Sequence, residues 1–133
     1  MVLRLPFPLV YVVEDDEALR TLVVEALEEL GCTVSAFGDA EAMLKAGAGG
    51  HWPELLITDV RLPGLSGVDA LALLRAQGLN LPVFVMTAFP SPQLLARMEG
   101  LEVGWVFQKP FDPEDLVSVL REFFQSASQG VQP

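Results

Sequence analysis

Residues 9–31, LVYVVEDDEALRTLVVEALEELG, contain one predicted strand followed by one predicted helix. The stretch opens with five apolar residues that do not alternate with polar ones. Uninterrupted runs of this length are typical of strands that are buried on both faces, as in parallel sheets. Four consecutive acidic residues follow, and apolar side chains then recur at helical spacing from Leu19 to Leu30. Gly31 is placed to end that helix.

The alternation of strand and helix continues along the whole chain. Further apolar runs of strand length, separated by helical patterns, occupy residues 33–36, 55–58, 83–86 and 105–108. Residues suited to start the four later helices are Asp39, Ser66, Ser91 before Pro92, and Asp112 before Pro113. The helix capped by Asp39 is predicted to run through Lys45, and the last helix is predicted to end at about Gln125. Strict alternation predicts an α/β fold, a doubly wound five-stranded parallel sheet with helices on both faces.

Length and composition limit the classes of function. The chain has 133 residues, and 51% of them are hydrophobic, so we expect a single domain with its own core. Eight basic and 18 acidic residues give a net charge of −10. That balance argues against direct contact with nucleic acid and against docking on anionic membranes. We predict one domain over residues 1–125, and a flexible tail or the start of a linker over residues 126–133.

The single cysteine and the N-terminal stretch indicate the cellular compartment of the protein. Cys32 has no partner for an internal disulfide, and we expect it to be a buried structural thiol. No apolar run reaches the ~18–20 residues of a membrane span. The apolar N-terminus is interrupted by Pro6 and Pro8 and leads into acidic residues, unlike an export signal. We therefore expect a cytoplasmic protein.

Polar residues follow four of the five predicted strands. Glu14, Asp15 and Asp16 come after the first strand and Asp59 ends the third. Thr87 ends the fourth strand, and Lys109 follows the fifth. The carboxyl ends of parallel strands meet at one edge of the sheet, so we expect these side chains to converge. Each alone would be an ordinary cap, turn or surface residue.

Such a cluster suits a phosphoryl group. Clustered carboxylates repel one another unless a cation intervenes, and oxygen ligands favour Mg²⁺. An ammonium and a hydroxyl can stabilise phosphoryl oxygens. His51, the only histidine, stands in a loop, so no Ser–His–Asp set is available. The best candidate nucleophile is the carboxylate of Asp59.

These residues stand in motifs that are similar to a known family. The motifs are Val13-Glu14-Asp15-Asp16-Glu17-Ala18-Leu19-Arg20, Asp59-Val60-Arg61-Leu62-Pro63-Gly64-Leu65-Ser66-Gly67, Thr87-Ala88 and Lys109-Pro110-Phe111. Together they resemble the receiver (phosphoacceptor) domain of two-component response regulators in bacterial signalling. The resemblance implies the flavodoxin-like (βα)5 topology. It also implies a signalling switch that forms an aspartyl phosphate and is not a turnover enzyme.

The resemblance implies a role for each matching residue. Asp59 would accept the phosphoryl group, while Thr87 and Lys109 would contact its oxygens. Mg²⁺ would be held by Asp15, Asp59 and the backbone carbonyl of Arg61, with Glu14 acting through water. The spacing to Arg20 favours Glu14 and Asp15 as the acidic pair, although Asp15 and Asp16 are an alternative. Pro110 would follow a cis peptide bond.

The sequence departs from the family pattern near the fifth strand. Val106 stands three residues before Lys109, where receivers usually carry Tyr or Phe, so Trp105 or Phe89 would have to transmit the signal. The resemblance also places Arg61 and Phe89 beside the path of the hydrolytic water. A bulky Phe89 predicts a long-lived aspartyl phosphate, and Phe89→Ala should lose phosphate faster.

Three alternatives to a phosphorylated receiver can be compared with the sequence. A degenerate receiver that acts as a phosphate-independent docking module stays open because Val106 replaces the aromatic residue. An Asp-nucleophile phosphohydrolase usually has a second Asp two residues after the nucleophile, and Arg61 cannot serve as that acid. A dinucleotide site needs a Gly-rich turn where residues 14–16 are acidic.

The resemblance also implies partners. A histidine kinase or phosphotransfer protein would dock near Asp59. An output domain or downstream protein would read the face around the fourth and fifth strands. A phosphorylation-dependent homodimer through that face is an open alternative.

Overall fold

A computed structural model describes the backbone of residues 8–130 and the side chains of residues 8–126. Five strands form one parallel sheet in the order β2-β1-β3-β4-β5. The strands are β1 (Leu9–Val13), β2 (Thr33–Phe37), β3 (Leu55–Asp59), β4 (Val83–Thr87) and β5 (Trp105–Gln108). The predicted doubly wound α/β sheet is therefore confirmed.

A helix follows each strand. The helices are α1 (Glu17–Glu29), α2 (Ala40–Ala48), α3 (Gly67–Ala76), α4 (Pro92–Gly100) and α5 (Pro113–Gly130). The side chains of Asp16, Asp39, Ser66 and Ser91 each accept a hydrogen bond from a backbone N–H in the first turn of the following helix. Such caps satisfy donors that the helix itself leaves unpaired.

The helices cover both faces of the sheet, and each face has its own core. Val10 and Val12 point to the face covered by α1 and α5, where they pack with Leu116 and Leu120. Tyr11 and Val13 point to the other face, which α2, α3 and α4 cover. Because side chains alternate along a strand, a strand covered on both faces must be apolar throughout. The uninterrupted apolar run of β1 has this physical cause.

Two helix ends differ from the prediction. The helix α5 continues to Gly130, five residues beyond Gln125, and α2 continues to Ala48 rather than ending at Lys45. Small residues and glutamine do not stop a helix once it has begun, and α2 crosses Gly47 because that residue is buried against Trp52. Of the predicted tail, residues 131–133 lie outside the described residues.

Two smaller expectations can be compared with the structure. Cys32 is buried, as predicted. Within residues 8–130, no helix is both long enough and apolar enough to cross a membrane.

Candidate functional site

The carboxyl ends of β1, β3 and β5 bring together two carboxylates and one ammonium group. Asp59 ends β3 and is 5% exposed, and Glu14 directly follows β1 and is fully buried. The Lys109 Nζ donates hydrogen bonds of 2.6 Å to Asp59 Oδ2 and of 2.6 Å to Glu14 Oε1. Lys109 thus bridges two carboxylates that would otherwise be buried without a counter-charge.

Burial and charge act against each other on these groups. Burial raises the pKa of Glu14 to about 7, and the hydrogen bond from Lys109 only partly offsets it. Burial alone would lower the pKa of the Lys109 ammonium. Its hydrogen bonds to Asp59 and Glu14, together with their charges, outweigh burial and raise that pKa. Lys109 is therefore cationic in this site.

Three carboxylates form an acidic cluster that could hold a cation. Glu14, Asp15 and Asp59 each present one oxygen, and these oxygens all lie within 4.8 Å of one another. Asp15 is exposed, so a bound ion would keep contact with water. Asp16 instead caps α1 by accepting a hydrogen bond of 3.1 Å from the Leu19 N–H. An oxygen-only donor set that is partly open to water fits a hard divalent ion such as Mg²⁺.

Backbone amides hold the side chains of Asp59 and Thr87 in place. The Arg61 N–H donates to Asp59 Oδ1 at 3.4 Å, and the Phe89 N–H donates to Thr87 Oγ1 at 3.3 Å. Thr87 is buried at the end of β4, and its carbonyl accepts a hydrogen bond from the Lys109 N–H. The Lys109–Pro110 peptide bond is cis, as the resemblance implied.

Two supporting residues had no role assigned from the sequence. The Arg20 guanidinium donates to the Glu14 carbonyl at 2.8 Å and so fixes the turn after β1. Gly67 starts α3 directly against the backbone of Asp59, where an added Cβ would lie 1.9 Å from the Asp59 carbonyl oxygen. The sequence does show a glycine directly after the Ser66 cap. The reason for that glycine, its contact with the Asp59 backbone, is visible only in the folded structure.

The residues near β5 face opposite sides of the sheet. Val106 packs into the core under α3 and α4. Trp105 points to the α5 side, where its ring lies 6.4 Å from that of Phe107, and half of its surface is exposed. Trp105 therefore does not take the place of the aromatic residue that Val106 replaces.

Comparison with known proteins identifies the class. The response regulator receiver domain family matches residues 10–121, which is most of the chain. The chain belongs to this family, whose members are signalling switches of two-component systems.

Named relatives agree with that assignment. The chain is 35% identical over 127 residues to the transcriptional regulatory protein FixJ of Azorhizobium caulinodans, covering 92% of this chain and 58% of that protein. It is 37% identical over 123 residues to the two-component response regulator PhoP of Pseudomonas aeruginosa, covering 91% and 53%. The chain thus spans about half the length of these curated relatives.

Solved structures are similar across the whole fold. The chemotaxis response regulator CheY4 of Vibrio cholerae is 25% identical, with a TM-score of 0.78 over 87% of this chain and 98% of that chain. A CheY-like receiver domain protein from Methanospirillum hungatei has a TM-score of 0.83 over 93% and 98%, and its 20% identity supports the fold alone.

Proposed function

We propose that Asp59 of this receiver domain accepts a phosphoryl group from a phosphohistidine of a histidine kinase or phosphotransfer protein. The observation that carries the proposal is the Lys109 ammonium, which joins the nearly buried Asp59 to Glu14 beside the exposed Asp15. A carboxylate at this position has a counter-charge to steady it, and the neighbouring Asp15 is exposed to solvent.

The transfer follows from the groups present. One Asp59 oxygen attacks phosphorus, the nitrogen–phosphorus bond of the donor breaks, and the leaving imidazole nitrogen keeps the electron pair and takes up a proton. After transfer, the Lys109 ammonium can shift from the Asp59 carboxylate to the phosphoryl oxygens, which then carry the negative charge. Thr87, whose hydroxyl accepts only the Phe89 N–H at 3.3 Å, can turn to donate to a phosphoryl oxygen. Water later hydrolyses the aspartyl phosphate.

We also propose Mg²⁺ as the cofactor. Glu14, Asp15 and Asp59 would hold it, together with the backbone carbonyl of Arg61. The ion would supply positive charge beside the incoming phosphoryl oxygens. The proximity of the three carboxylate oxygens, all within 4.8 Å of one another, supports this assignment, because clustered carboxylates repel one another unless a cation intervenes.

The role in signalling is proposed as follows. Phosphorylation shifts the domain between two conformations that control an output domain or downstream protein, so the chain is a switch and not a turnover enzyme. We place it in the cytoplasm and expect no direct contact of this domain with nucleic acid. The phosphorylated form is a candidate for homodimerisation. A phosphate-independent docking module is disfavoured because every acceptor group is in place.

Intact-mass spectrometry after incubation with acetyl phosphate tests the proposal. We expect the gain of one phosphoryl group when Mg²⁺ is present and no gain with EDTA. The Asp59→Asn variant should gain nothing under either condition. A folded wild-type protein that gains nothing from acetyl phosphate or from a phosphorylated kinase would refute the proposal. An equal gain by Asp59→Asn would refute the assignment of the acceptor.

A further inference from the structure

The loop between β3 and α3 (residues 60–66, the β3–α3 loop) is tied to the backbone and side chain of Asp59. Near its start, the Arg61 N–H donates to Asp59 Oδ1 at 3.4 Å. At its end, the Gly67 N–H donates to the Val60 carbonyl at 2.9 Å and so joins the two ends of the loop. The conformation of this loop therefore decides where the Arg61 carbonyl lies relative to the Asp59 carboxylate.

The side chain of Glu41 reaches the β3–α3 loop from the first turn of α2. Its Oε2 accepts a hydrogen bond of 3.3 Å from the Leu65 N–H. The same carboxylate lies against Gly64, where an added Cβ would be 2.5 Å from Oε2 and 3.4 Å from Oε1. Gly64 has a φ of +75°, a left-handed conformation that glycine adopts without strain. The loop thus turns at Gly64 and offers its next amide to Glu41.

The backbones on both sides of this hydrogen bond are anchored. Asp39 caps α2 by accepting a hydrogen bond of 2.8 Å from an amide in its first turn. Ala40 and Met43, which flank Glu41, are buried in the core on this face of the sheet, and Leu65 packs against the same core. The bond between Glu41 and Leu65 therefore fixes the β3–α3 loop relative to α2.

We propose that Glu41 is a positioning residue that holds the β3–α3 loop so that the Arg61 carbonyl is presented to the bound metal ion. This inference rests on the proposed function and on its Mg²⁺ site. Glu41 would contact neither the ion nor the phosphoryl group. It acts by restricting the loop beforehand, because a ligand that is already in position loses less conformational freedom when the ion binds.

The first test measures the Mg²⁺ dissociation constant of the unphosphorylated protein by titration of its amide NMR signals. We expect Glu41→Ala to raise this constant about three- to tenfold, which corresponds to the loss of one hydrogen bond. Glu41→Gln keeps an oxygen at the same reach but removes the charge, and it should stay within about twofold of the wild type. Glu28→Ala removes a carboxylate from an exposed position on α1 and should match the wild type.

The Ala and Gln variants separate position from charge. Equal losses in the two would show that Glu41 acts only through the field of its charge, and would overturn the positioning role. Amide hydrogen exchange without Mg²⁺ gives a readout that needs no metal. The Leu65 N–H should exchange at least about threefold faster in Glu41→Ala, and Glu41→Gln should restore its protection.

The second test uses the glycine that the Glu41 carboxylate touches. Gly64→Ala places a methyl group 2.5 Å from Glu41 Oε2, so the carboxylate must move away from the Leu65 N–H. We expect the Mg²⁺ dissociation constant to rise about as much as in Glu41→Ala, and the double variant should lose little more. Gly78→Ala has a similar φ of +82° and nothing within 4 Å of the added Cβ, so it carries the backbone strain alone and should leave Mg²⁺ binding unchanged.

The outcomes separate this inference from the proposed function. Wild-type binding of Mg²⁺ together with an unchanged dissociation constant in Glu41→Ala would overturn the positioning role and leave the metal site standing. Losses in Glu41→Ala and Gly64→Ala that multiply in the double variant would overturn the link between these two residues. A folded wild-type protein whose amide signals do not respond to Mg²⁺ would overturn the metal site and this inference together.

Discussion

The ammonium of Lys109 sits between two carboxylates and donates a hydrogen bond to each. Glu14 and Asp59 are each almost inaccessible to water, and both accept a short hydrogen bond from the same nitrogen. A buried charge without a partner costs several kcal/mol, so the stability of the site depends on this one side chain. Its loss should therefore be visible without any assay of activity.

We expect Lys109→Met to lower the free energy of unfolding by about 3 kcal/mol at pH 8 without Mg²⁺. The pKa of Glu14 is already about 7 in the folded protein, against an ordinary value of 4.5, and loss of the ammonium raises it further. A carboxyl group whose pKa is higher in the folded protein than in the unfolded chain destabilises the fold. The effect grows as the pH rises above the pKa of that group in the unfolded chain. The deficit should therefore be smaller at pH 5. Urea unfolding at the two pH values measures it.

Lys45→Met serves as the control for this prediction, because Lys45 is exposed on α2. Its free energy of unfolding should stay close to that of the wild type at both pH values. A Lys109→Met deficit that is absent, or equal at pH 5 and pH 8, would contradict the electrostatic account of the pair.

Gly67 gives a second prediction at the scale of a single residue. A Cβ at this position would press on the Asp59 carbonyl at 1.9 Å, and backbone cannot move aside as a flexible side chain can. Gly67→Ala should lower the free energy of unfolding by about 1–3 kcal/mol and slow phosphorylation. Gly100→Ala, with nothing within 4 Å of the added Cβ, should do neither. Similar behaviour of the two variants in urea unfolding would contradict the contact.

At the scale of elements, Arg75 joins α3 to two loops at the end of the sheet remote from the site. Its guanidinium donates to the carbonyls of Leu79, Leu81 and Leu101, at 2.8–2.9 Å. These carbonyls belong to the connection that leads into β4 and to the residue that caps the end of α4. One side chain thus satisfies three acceptors that neither helix nor sheet pairs.

Arg75→Ala should lower the free energy of unfolding by about 2 kcal/mol, because partly buried carbonyls lose a charged donor. Phosphorylation by acetyl phosphate should change little, since Arg75 contacts the connection before β4 and the end of α4, away from the site at the carboxyl ends of the strands. Arg121→Ala removes a similar side chain from an exposed position and provides the control in chemical denaturation. A loss no larger than that of Arg121→Ala would show that water replaces Arg75 at these carbonyls.

Prediction from sequence worked best for elements whose signal is local. The five strands and the caps at Asp39, Ser66 and Ser91 follow from apolar runs and from polar residues at helix starts. The end of α5 was placed too early because a run of small polar residues resembles a linker yet permits a helix. Local composition does not decide between a flexible linker and a helix.

Partners in space were harder to predict than elements. The alignment of strand ends brought the carboxylates and Lys109 together in the prediction, because parallel topology fixes which ends meet. The stacking of Arg61 on Phe89 and the approach of Gly67 to Asp59 depend on how two loops pack. The sequence has no periodicity that reports such loop contacts, so only the structure reveals them.

At the scale of the whole molecule, the two cores should open together when the domain unfolds. Cys32 reports on this, because it is buried in the core beneath α1 and burial raises the pKa of its thiol to about 11. Since only the thiolate reacts, folded protein at pH 8 should resist thiol reagents by more than about a hundredfold relative to urea-unfolded protein. The rate of reaction with a chromogenic disulfide measures this.

A thiol at an exposed position supplies the control for Cys32. Ser118 is exposed on α5, so Ser118→Cys in a Cys32→Ala background should react at nearly the rate of the unfolded chain. Rapid labelling of Cys32 in folded protein would show that α1 moves away from the sheet without global unfolding.

We expect Asp59 to be the residue that carries the phosphoryl group. Borohydride reduction of the phosphorylated protein converts an aspartyl phosphate into homoserine, and peptide mass spectrometry then locates the change. We predict homoserine at position 59 and at no other acidic residue, and only after incubation with acetyl phosphate and Mg²⁺. Conversion at Glu14, Asp15 or Asp16 in place of Asp59 would contradict the account.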